Sequence, residues 1–347
     1  MLFNSFGYAF FLPAVFALHW ITPKNFRWII LLLASYYFYA SWGVQYVAVI
    51  LITTAVSYMA GLYLGGRPQG LQACGPAGAQ YGNGHSSRPQ PPSGTPHGRK
   101  LLLAGTVAFC GLLLFFFKYF DFFSVNAAAL LQKFSLPVDV YRGEIEAEQH
   151  FGIYAVYISF FPKVMQGPIE RGGKLLPQLH TPRRFKYKQA SYGMKLMAWG
   201  YFKKLFLADG LAVYVNQVYG DLPSYTGFSL LLATFFYAIQ LYCDFSGYTD
   251  IALGSAKILG INLTQNFRSP YFASSIKDFW GRWHISLSSW LRDYIYIPLG
   301  GSRVGRVRHA LNIMITFLVS GLWHGASWNY VLWGGIHGTL QVIEGFF

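Results

Sequence analysis

The chain has 347 residues, of which 54% are hydrophobic and only 12% are charged, whereas soluble domains carry about 25% charged residues. This composition excludes an ordinary soluble domain and predicts an all-α, polytopic membrane protein, because helices satisfy their own backbone hydrogen bonds in lipid. The net charge of +14 comes from Lys and Arg placed between apolar runs, which is the positive-inside pattern of membrane proteins, so we expect no nucleic-acid partner.

The N-terminal third contains four apolar segments. Residues 1–22 lack a basic n-region and a small-residue cleavage site, so they predict a retained first membrane helix rather than a signal peptide. Residues 26–64 are long enough for two spans of about 20 residues each, with a tight join at Ser41–Gly43. A further apolar run at 101–117 ends at Lys118.

Residues 65–100 interrupt this pattern with a segment rich in Gly, Pro, Gln and Ser. Such a composition buries too little apolar surface to offset its chain entropy, which predicts a disordered loop. Its four basic residues and its lack of acids predict a cytoplasmic location. His85 and His97 have no paired Cys or carboxylate, and the three cysteines lack metal or disulfide spacing, so we expect no metal site. The cysteines are Cys74, Cys110 and Cys243.

The middle of the chain has an acidic cluster followed by a broken helix. Residues 144–150, EIEAEQH, predict a solvated helix start that leads into a span at about 151–166. The Gly167–Pro168 pair then interrupts a helix at membrane depth, which is tolerated where the backbone is buried in protein or lines a cavity. Two interpretations remain open: an ordinary surface loop, or a cavity wall in which Glu170 and Arg171 pair or bind a charged donor.

Residues 180–204 carry seven Lys or Arg and no acid. Apolar side chains from Met194 to Phe202 recur at helical spacing, so this stretch predicts an amphipathic helix along the anionic cytoplasmic leaflet. The same charges would also attract an acidic partner, such as coenzyme A phosphates or an acyl carrier protein. After two further apolar runs, Asp244 and Asp250 lie at a membrane edge, where they either cap a helix start or take part directly in catalysis.

The stretch Asp278–Tyr294 predicts one helix, in which Arg282 lies one turn after the first residue. Trp280, His284 and Ser288 follow each other at intervals of four residues and would share one face. An aromatic stripe on the neighbouring face is typical of a helix at the membrane interface.

Two histidines of this region are candidate proton-transfer groups. His284 has aromatic and aliphatic neighbours, and His324 ends the apolar run 310–323. An imidazole exchanges a proton near pH 7, and an ionisable group within a membrane is costly enough to suggest a function. The alternative is a hydrogen-bonded packing role. His337 lies in the last apolar run, 328–345, and ranks below the other two. Five glycines nearby would allow close helix approach: Gly321, Gly325, Gly334, Gly335 and Gly338.

Four long segments of the chain resemble the membrane-bound O-acyltransferase (MBOAT) family. They are FFPKVMQGPIERGGKLLPQL at 160–179, DFSGYTDIALGSAKILGINLTQNFRSPY at 244–271, DFWGRWHISLSSWLRDYIYIPLGG at 278–301 and GLWHGASWNYVLWGGIHG at 321–338. Within the family they are similar to the branch that contains the alginate O-acetyltransferase membrane subunit. The resemblance covers nearly the whole chain apart from residues 65–100.

The chain also departs from this family in two places. Relatives have an apolar helix between a Leu-Pro like Leu136–Pro137 and an Asp-Val-Tyr-Arg like Asp139–Arg142, which are almost fused here after the amphipathic stretch 121–136. We therefore expect one span fewer. Relatives continue through more helices after the motif equivalent to Trp333–Gly338, so we expect a single membrane domain, residues 1–347, that is a fragment or a decayed copy.

The resemblance implies acyl transfer to a hydroxyl group. In the family the His of the Trp-His-Gly motif, here His324, is held essential, and the His of Trp-His-Ile-Ser, here His284, is its partner. By the chemistry of the side chains, His324 would accept a proton as an oxygen attacks a thioester carbonyl, and His284 would orient it or stabilise charge. A covalent acyl-imidazole is a variant. We expect no tightly bound cofactor, with acetyl-CoA or an acyl carrier protein as donor substrate.

The resemblance further implies an MBOAT-like helical core with re-entrant and interfacial helices, in the lipids of a bacterial inner membrane. The expected partners are a polysaccharide acceptor, a periplasmic acetyltransferase and an acyl carrier protein. Two alternatives remain: a D-alanyl transfer protein that serves teichoic acid, and a transporter without chemistry. By resemblance, the sequences GPIER (167–171) and IPLGG (297–301) favour the polysaccharide O-acetyltransferase. The sequence has no evident inverted repeats of the kind found in transporters.

Overall fold

All regular structure in the described part of the computed structural model is helical. The all-α prediction is therefore confirmed for those residues. The described ranges are 1–65, 96–118, 135–164, 166–181, 183–325 and 327–345. The predicted disordered loop at 65–100 and the amphipathic stretch at 121–136 lie largely outside these ranges, together with Cys74 and His85.

The first helices follow the apolar pattern of the sequence. They are α1 (Phe6–Ile21), α2 (Arg27–Ala40), α3 (Val44–Gly65), α4 (Pro96–Lys118) and α5 (135–141). Helix α1 begins where the Ser5 hydroxyl accepts a hydrogen bond from the backbone N–H of Tyr8 at 3.3 Å. The predicted tight join at Ser41–Gly43 is confirmed, and Gly43 permits it by adopting a φ of 150°.

The segment that precedes the GPIER sequence differs from the prediction at both ends. It contains α6 (Phe151–Ser159) and α7 (Phe161–Val164), and α8 (Gly172–His180) follows. The predicted helix start at 144–150 is wrong, because His150 Nδ1 accepts from the Ile153 N–H at 3.1 Å and so caps a helix that begins at Phe151. The predicted span at 151–166 is broken at Phe160, since the backbone N–H of Phe161 donates to the Ser35 hydroxyl rather than to a carbonyl of the preceding helical turn.

The rest of the chain contains two π-helical turns among its α-helices. The elements are α9 (Tyr187–Tyr201), the first π turn (Phe202–Ala208), α10 (Asp209–Gly220), α11 (Phe228–Ile258), α12 (Ile276–Arg282), α13 (Ile285–Leu291), the second π turn (Arg292–Tyr296), α14 (Arg306–His324) and α15 (Trp328–Glu344).

Helix α9 packs closely along α11. A Cβ atom on Gly193 would lie 2.8 Å from the carbonyl oxygen of Gly254, and one on Gly200 would lie 2.7 Å from that of Gly247. The opposite face of α9 is exposed, including Tyr187. The predicted amphipathic helix within 180–204 is thus confirmed, with small residues on its buried face, and its placement on the cytoplasmic leaflet stays a prediction.

Two described helical segments are long and apolar enough to cross a membrane. They are Tyr46–Gly65, with a mean hydropathy of 2.0, and Phe228–Ile258, with a mean hydropathy of 1.4. Helix α1 is apolar but has only 16 residues. The larger number of spans that the sequence indicates stays a prediction.

Candidate active site

His284 lies at a break between two short helices. Helix α12 ends at Arg282 and α13 begins at Ile285, and His284 between them has φ 44° and ψ 52°. A left-handed backbone costs a non-glycine residue about 1–3 kcal/mol, so the surrounding structure must hold it in place. The predicted single helix over 278–294 is therefore wrong. Its i,i+4 pair does form, since Arg282 Nε lies 2.8 Å from Asp278 Oδ1.

A neighbouring segment supplies the hydrogen bonds that a continuous helix would have made. The backbone oxygen of Asn266 accepts from the Ile285 N–H at 2.9 Å, and its side-chain Oδ1 accepts from the Ser286 N–H at 3.1 Å. The Arg268 N–H donates to the carbonyl oxygen of Arg282 at 2.9 Å. These long-range bonds stabilise the break and fix the position of the His284 backbone.

The His284 imidazole occupies an aromatic slot. Its ring centroid lies 4.7 Å from that of Phe245 and 5.9 Å from that of Trp323. The residue is only 5% exposed, and Nδ1 has no hydrogen-bond partner among the described residues. A buried ring nitrogen without a partner is unusual for a packing histidine, because such atoms are normally hydrogen-bonded.

His324 lies at the end of α14 within a second group of rings. Its centroid is 4.8 Å from Trp323, 5.1 Å from Trp333 and 6.3 Å from Tyr330. Trp323 therefore contacts both candidate imidazoles. The structure thus brings together the two site residues that the sequence predicts, from helices separated along the chain.

Glycines hold α14 against α15 and so position His324. A Cβ on Gly321 would lie 2.2 Å from the Tyr330 carbonyl oxygen, and one on Gly334 would lie 2.4 Å from the Phe317 carbonyl oxygen. The prediction of close helix approach is confirmed here and at two further glycines, but not at Gly335, where a Cβ would meet nothing within 4 Å. The two further positions are Gly325 and Gly338.

His337 belongs to the same aromatic group rather than to a separate site. Its ring lies 4.9 Å from Trp333 and 5.1 Å from Trp280. Neither His337 Nδ1 nor Trp280 Nε1 has a hydrogen-bond partner in the described ranges. Sequence reasoning singled out neither Trp333 nor Phe245 as a site residue, although the i,i+4 spacing of Trp333 and His337 was a usable signal.

A polar cavity of about 660 Å³ lies beside the His284 slot. Phe267 forms part of its wall and packs 4.9 Å from Phe245, whose ring contacts His284. Two aromatic rings, Phe267 and Phe245, thus connect the cavity wall to the imidazole. The charged residues of the wall are Lys203, Asp250, Arg268, Asp278 and Arg282.

The two aspartates of the DFSGYTD segment lie inside α11, so the predicted helix-start cap is wrong. Helix α11 begins 16 residues before Asp244, at Phe228. Asp244 instead pairs with Lys204, and Asp250 Oδ2 lies 2.7 Å from the Lys203 ammonium. Both lysines belong to the first π turn, so these pairs tie that turn to α11.

The GPIER segment is buried in protein, as one of the two sequence interpretations held. Glu170 is 1% exposed and its carboxylate accepts from the backbone N–H and the hydroxyl of Thr264. Arg171 pairs with Asp293 at 2.8 Å, so the expected pairing of Glu170 with Arg171 is wrong. Since the Ile169 N–H also donates to the Ser286 hydroxyl, the segment supports α13 directly.

Comparison with known proteins identifies the family of this chain. The model of MBOAT, the membrane-bound O-acyltransferase family, matches residues 148–347. The protein named "Probable alginate O-acetylase AlgI" from Pseudomonas syringae pv. tomato is 35% identical over 369 residues, which cover 99% of this chain and 66% of that protein. The "Peptidoglycan O-acetyltransferase" of Helicobacter pylori is 31% identical over 390 residues, with 97% and 69% covered.

A more distant relative is the "Teichoic acid D-alanyltransferase" of Bacillus subtilis, 30% identical over 203 residues that cover 55% of this chain and 51% of that protein. The chain spans about two-thirds of the length of the acetylase relatives it matches. The family match and the identity over nearly the whole chain confirm the resemblance that the sequence motifs indicate: the chain belongs to the membrane-bound O-acyltransferase family.

Proposed function

We propose that this chain transfers acetyl groups from a thioester donor towards hydroxyl groups of an exported polysaccharide, with His324 and His284 at the reacting centre. The observation that carries this proposal is the pair of imidazoles that both contact the Trp323 ring, one of them, His284, buried with a nitrogen that has no partner among the described residues. A packing role alone gives no reason for a strained backbone that presents an unpartnered ring nitrogen in an aromatic slot.

The proposed step is general-base catalysis of acyl transfer. The His324 imidazole accepts the hydroxyl proton as the oxygen attacks the thioester carbonyl, a C–O bond forms, and the C–S bond breaks. The thiolate then takes the proton from the imidazolium. His284 donates an N–H to the developing oxyanion, or orients His324, and the surrounding aromatic rings exclude water. Direct attack by the imidazole, with an acyl-imidazole intermediate, uses the same two residues.

The choice of substrate rests on the named relatives. Proteins named for alginate and peptidoglycan acetylation match 97–99% of this chain, whereas the D-alanyltransferase of Bacillus subtilis matches 55%. We infer a polysaccharide acceptor, a donor that is either acetyl-CoA or an acyl carrier protein, and a periplasmic acetyltransferase that completes the transfer. The polar cavity beside Phe267 would admit one of these polar substrates to the aromatic wall. The proposed location is a bacterial inner membrane, crossed several times.

The test is the O-acetyl content of exported polysaccharide in a strain that lacks its own copy and is complemented with this chain. We expect acetylation with the unaltered chain, and its loss with His324→Ala and His284→Ala at matched membrane abundance. His309→Ala, a histidine outside both aromatic groups, is the control and should retain activity. No acetylation by the unaltered, correctly inserted chain would overturn the proposal. Esterified D-alanine on teichoic acid would support the second candidate instead.

A further inference from the structure

A second cavity lies between the α1–α2 link and the end of α8, and it shares no wall residue with the cavity beside Phe267. Its volume is about 240 Å³, several times the roughly 30 Å³ that one water occupies in the liquid. The basic side chains and imidazoles of its wall are Lys24, Arg27, Arg183, His19, His150 and His180, and its neutral polar residues are Asn25, Gln178 and Thr181. None of these residues contacts His284 or His324, so acyl transfer gives no account of this cavity.

The cations of this wall are oriented without being neutralised. Arg27 donates to the carbonyl oxygens of Arg183 at 2.7 Å, Thr22 at 3.1 Å and Trp20 at 3.4 Å, and its guanidinium stacks over the Trp20 ring. These acceptors are neutral carbonyls, so the charge of Arg27 remains available to a ligand. In the described part of the chain neither Lys24 nor Arg183 forms an ion pair.

The carboxylate that adjoins this wall is already engaged. Glu148 Oε2 lies 2.7 Å from His180 Nε2, and Glu148 Oε1 accepts from the backbone N–H of His150 at 2.7 Å. Glu148 is thus hydrogen-bonded to His180 and His150, and in the described part of the chain no carboxylate pairs with Lys24, Arg27 or Arg183. A cavity whose wall carries cations without paired carboxylates favours an anionic ligand.

Two buried nitrogens of the same cavity have no partner. His19 is 5% exposed, and its Nδ1 forms no hydrogen bond within the described ranges. The Nε atom of Arg183 is also buried and has no hydrogen-bond partner in those ranges. Leaving a buried donor or acceptor unpaired costs about 1–3 kcal/mol, and a ligand with several acceptor oxygens would recover part of that cost. Arginine and lysine in combination are suited to phosphate, whose oxygens accept several bonds at once.

We propose that this cavity binds the phosphate ester group of an anionic ligand, held by Arg27, Lys24 and Arg183 with His19 at its inner end. The group comes either from a lipid headgroup or from a soluble phosphate ester. Exposed apolar side chains flank the link, with Ile21 80% and Phe26 57% exposed, and these would contact acyl chains if the ligand is a lipid. The proposal does not depend on the acyl transfer chemistry at His324.

The test is the thermal unfolding midpoint of the full chain in neutral detergent, titrated with three probes. These are inorganic phosphate against chloride at equal ionic strength, short-chain phosphatidylglycerol, and a diacylglycerol with the same tails. A ligand that binds only the folded chain raises the midpoint in a saturable way. We expect saturable stabilisation by inorganic phosphate or by phosphatidylglycerol, and none by diacylglycerol.

The variants are Lys24→Gln and Arg183→Gln, each of which should weaken binding roughly tenfold by removing one charge-assisted hydrogen bond. Arg184→Gln removes the same charge from the next residue, which does not line the cavity, and should leave the affinity unchanged. The midpoint of each variant without ligand shows directly whether it folds.

The pattern of response identifies the source of the phosphate. Stabilisation by inorganic phosphate without stabilisation by phosphatidylglycerol assigns the site to a soluble phosphate ester, whereas stabilisation by phosphatidylglycerol, with or without an effect of inorganic phosphate, assigns it to a lipid headgroup. Both outcomes support the proposal if Lys24→Gln and Arg183→Gln weaken the effect. Absence of a saturable shift with either probe, or equal affinity in Arg183→Gln and Arg184→Gln, overturns it.

Discussion

The side-chain oxygen of Asn266 accepts a hydrogen bond from the backbone N–H of Ser286, two residues after His284. Asn266 is fully buried, so this bond is shielded from water and has no replacement in the apolar surroundings. It fixes the first turn of α13 and, with the bond from the Ile285 N–H, the left-handed backbone of His284. Asn266 therefore acts as a positioning residue for the imidazole.

Substitution Asn266→Ala should lower the O-acetylation rate by roughly ten- to a hundredfold, because an imidazole displaced by about 1 Å loses that much. We also expect a loss of about 1–3 kcal/mol in the free energy of unfolding, since the Ser286 N–H is left buried and unpaired. Asn262→Ala is the matched control, because the Asn262 side chain is exposed and, among the residues that the structure describes, accepts a hydrogen bond from Lys257 alone.

Acetylation by Asn266→Ala equal to that of Asn262→Ala would contradict the positioning role. A purely structural role predicts that lowering the growth temperature restores activity along with membrane abundance. The positioning role predicts that the rate per molecule stays low when abundance is restored, so both quantities should be measured.

The sequence predicts well those parts of the fold that local signals determine. The helices on either side of Ser41–Gly43, the amphipathic helix ending at Tyr201, and the closely packed pair α14 and α15 all follow from apolar length, turn residues and glycine positions. The pairing of His284 with His324 follows from the family resemblance, because spacing alone does not show that two distant segments meet.

The sequence fails where distant residues replace local partners. The stretch around His284 has the spacing of one helix, but Asn266 accepts hydrogen bonds from the backbone N–H groups of Ile285 and Ser286, which lie 19 and 20 residues further along the chain. The position of Asp250 in the sequence is typical of a residue that caps a nearby helix start, but its carboxylate pairs with Lys203. Glu170 and Arg171 are adjacent and opposite in charge, but their side chains point to different neighbours.

A glycine pair on α15 allows a matched test of the α14–α15 contact. Gly334→Ala should lower the free energy of unfolding by about 1–3 kcal/mol, because its Cβ would force the Phe317 carbonyl away. The same shift would move Trp333 from the His324 ring, so acetylation should also fall. Gly335→Ala adds the same atom in open space one residue later and should stabilise the helix by up to about 1 kcal/mol.

These two variants are compared by thermal unfolding in detergent and by polysaccharide O-acetyl content. If Gly334→Ala matches Gly335→Ala in both measurements, the close contact does not position His324.

The pair between Lys203, which is buried, and Asp250, whose side chain is 19% exposed, gives a third prediction. Lys203 is 6% exposed, and Asp250→Asn would leave its ammonium buried with the Ser246 hydroxyl as its remaining polar contact in the described part. Breaking a buried pair on one side costs about 3–5 kcal/mol, whereas replacing both partners by apolar residues is often nearly neutral. The double variant Lys203→Met with Asp250→Leu should therefore recover much of the stability lost in Asp250→Asn.

Denaturant unfolding of the two variants in mild detergent measures the difference. The partly exposed pair Asp278–Arg282 serves as the control, and Asp278→Asn should lower the free energy of unfolding far less than Asp250→Asn, because solvent screens an exposed pair. A double variant less stable than Asp250→Asn would show that the charge of Lys203 is required rather than merely tolerated.

Asp139 on α5, outside the helices long enough to span a membrane, gives a pH-dependent prediction. Burial raises the pKa of its carboxyl from 3.8 to about 6, although a hydrogen bond from Tyr294 and the nearby Arg171 lower it. Between these pH values the folded chain holds a proton that the unfolded chain has lost, so the contribution of Asp139 to stability falls as pH rises from about 4 to about 6.

Asp139→Asn should remove this decline, so the variant should gain stability relative to the unaltered chain, by about 3 kcal/mol for a pKa raised from 3.8 to about 6, as pH rises to 7. Tyr294→Phe deletes the hydrogen bond that holds the pKa of Asp139 down, so its decline should extend to higher pH. Unfolding midpoints in detergent from pH 4 to pH 8 compare the three proteins. A difference between Asp139→Asn and the unaltered chain that does not change with pH would show that folding does not raise the pKa of the Asp139 carboxyl.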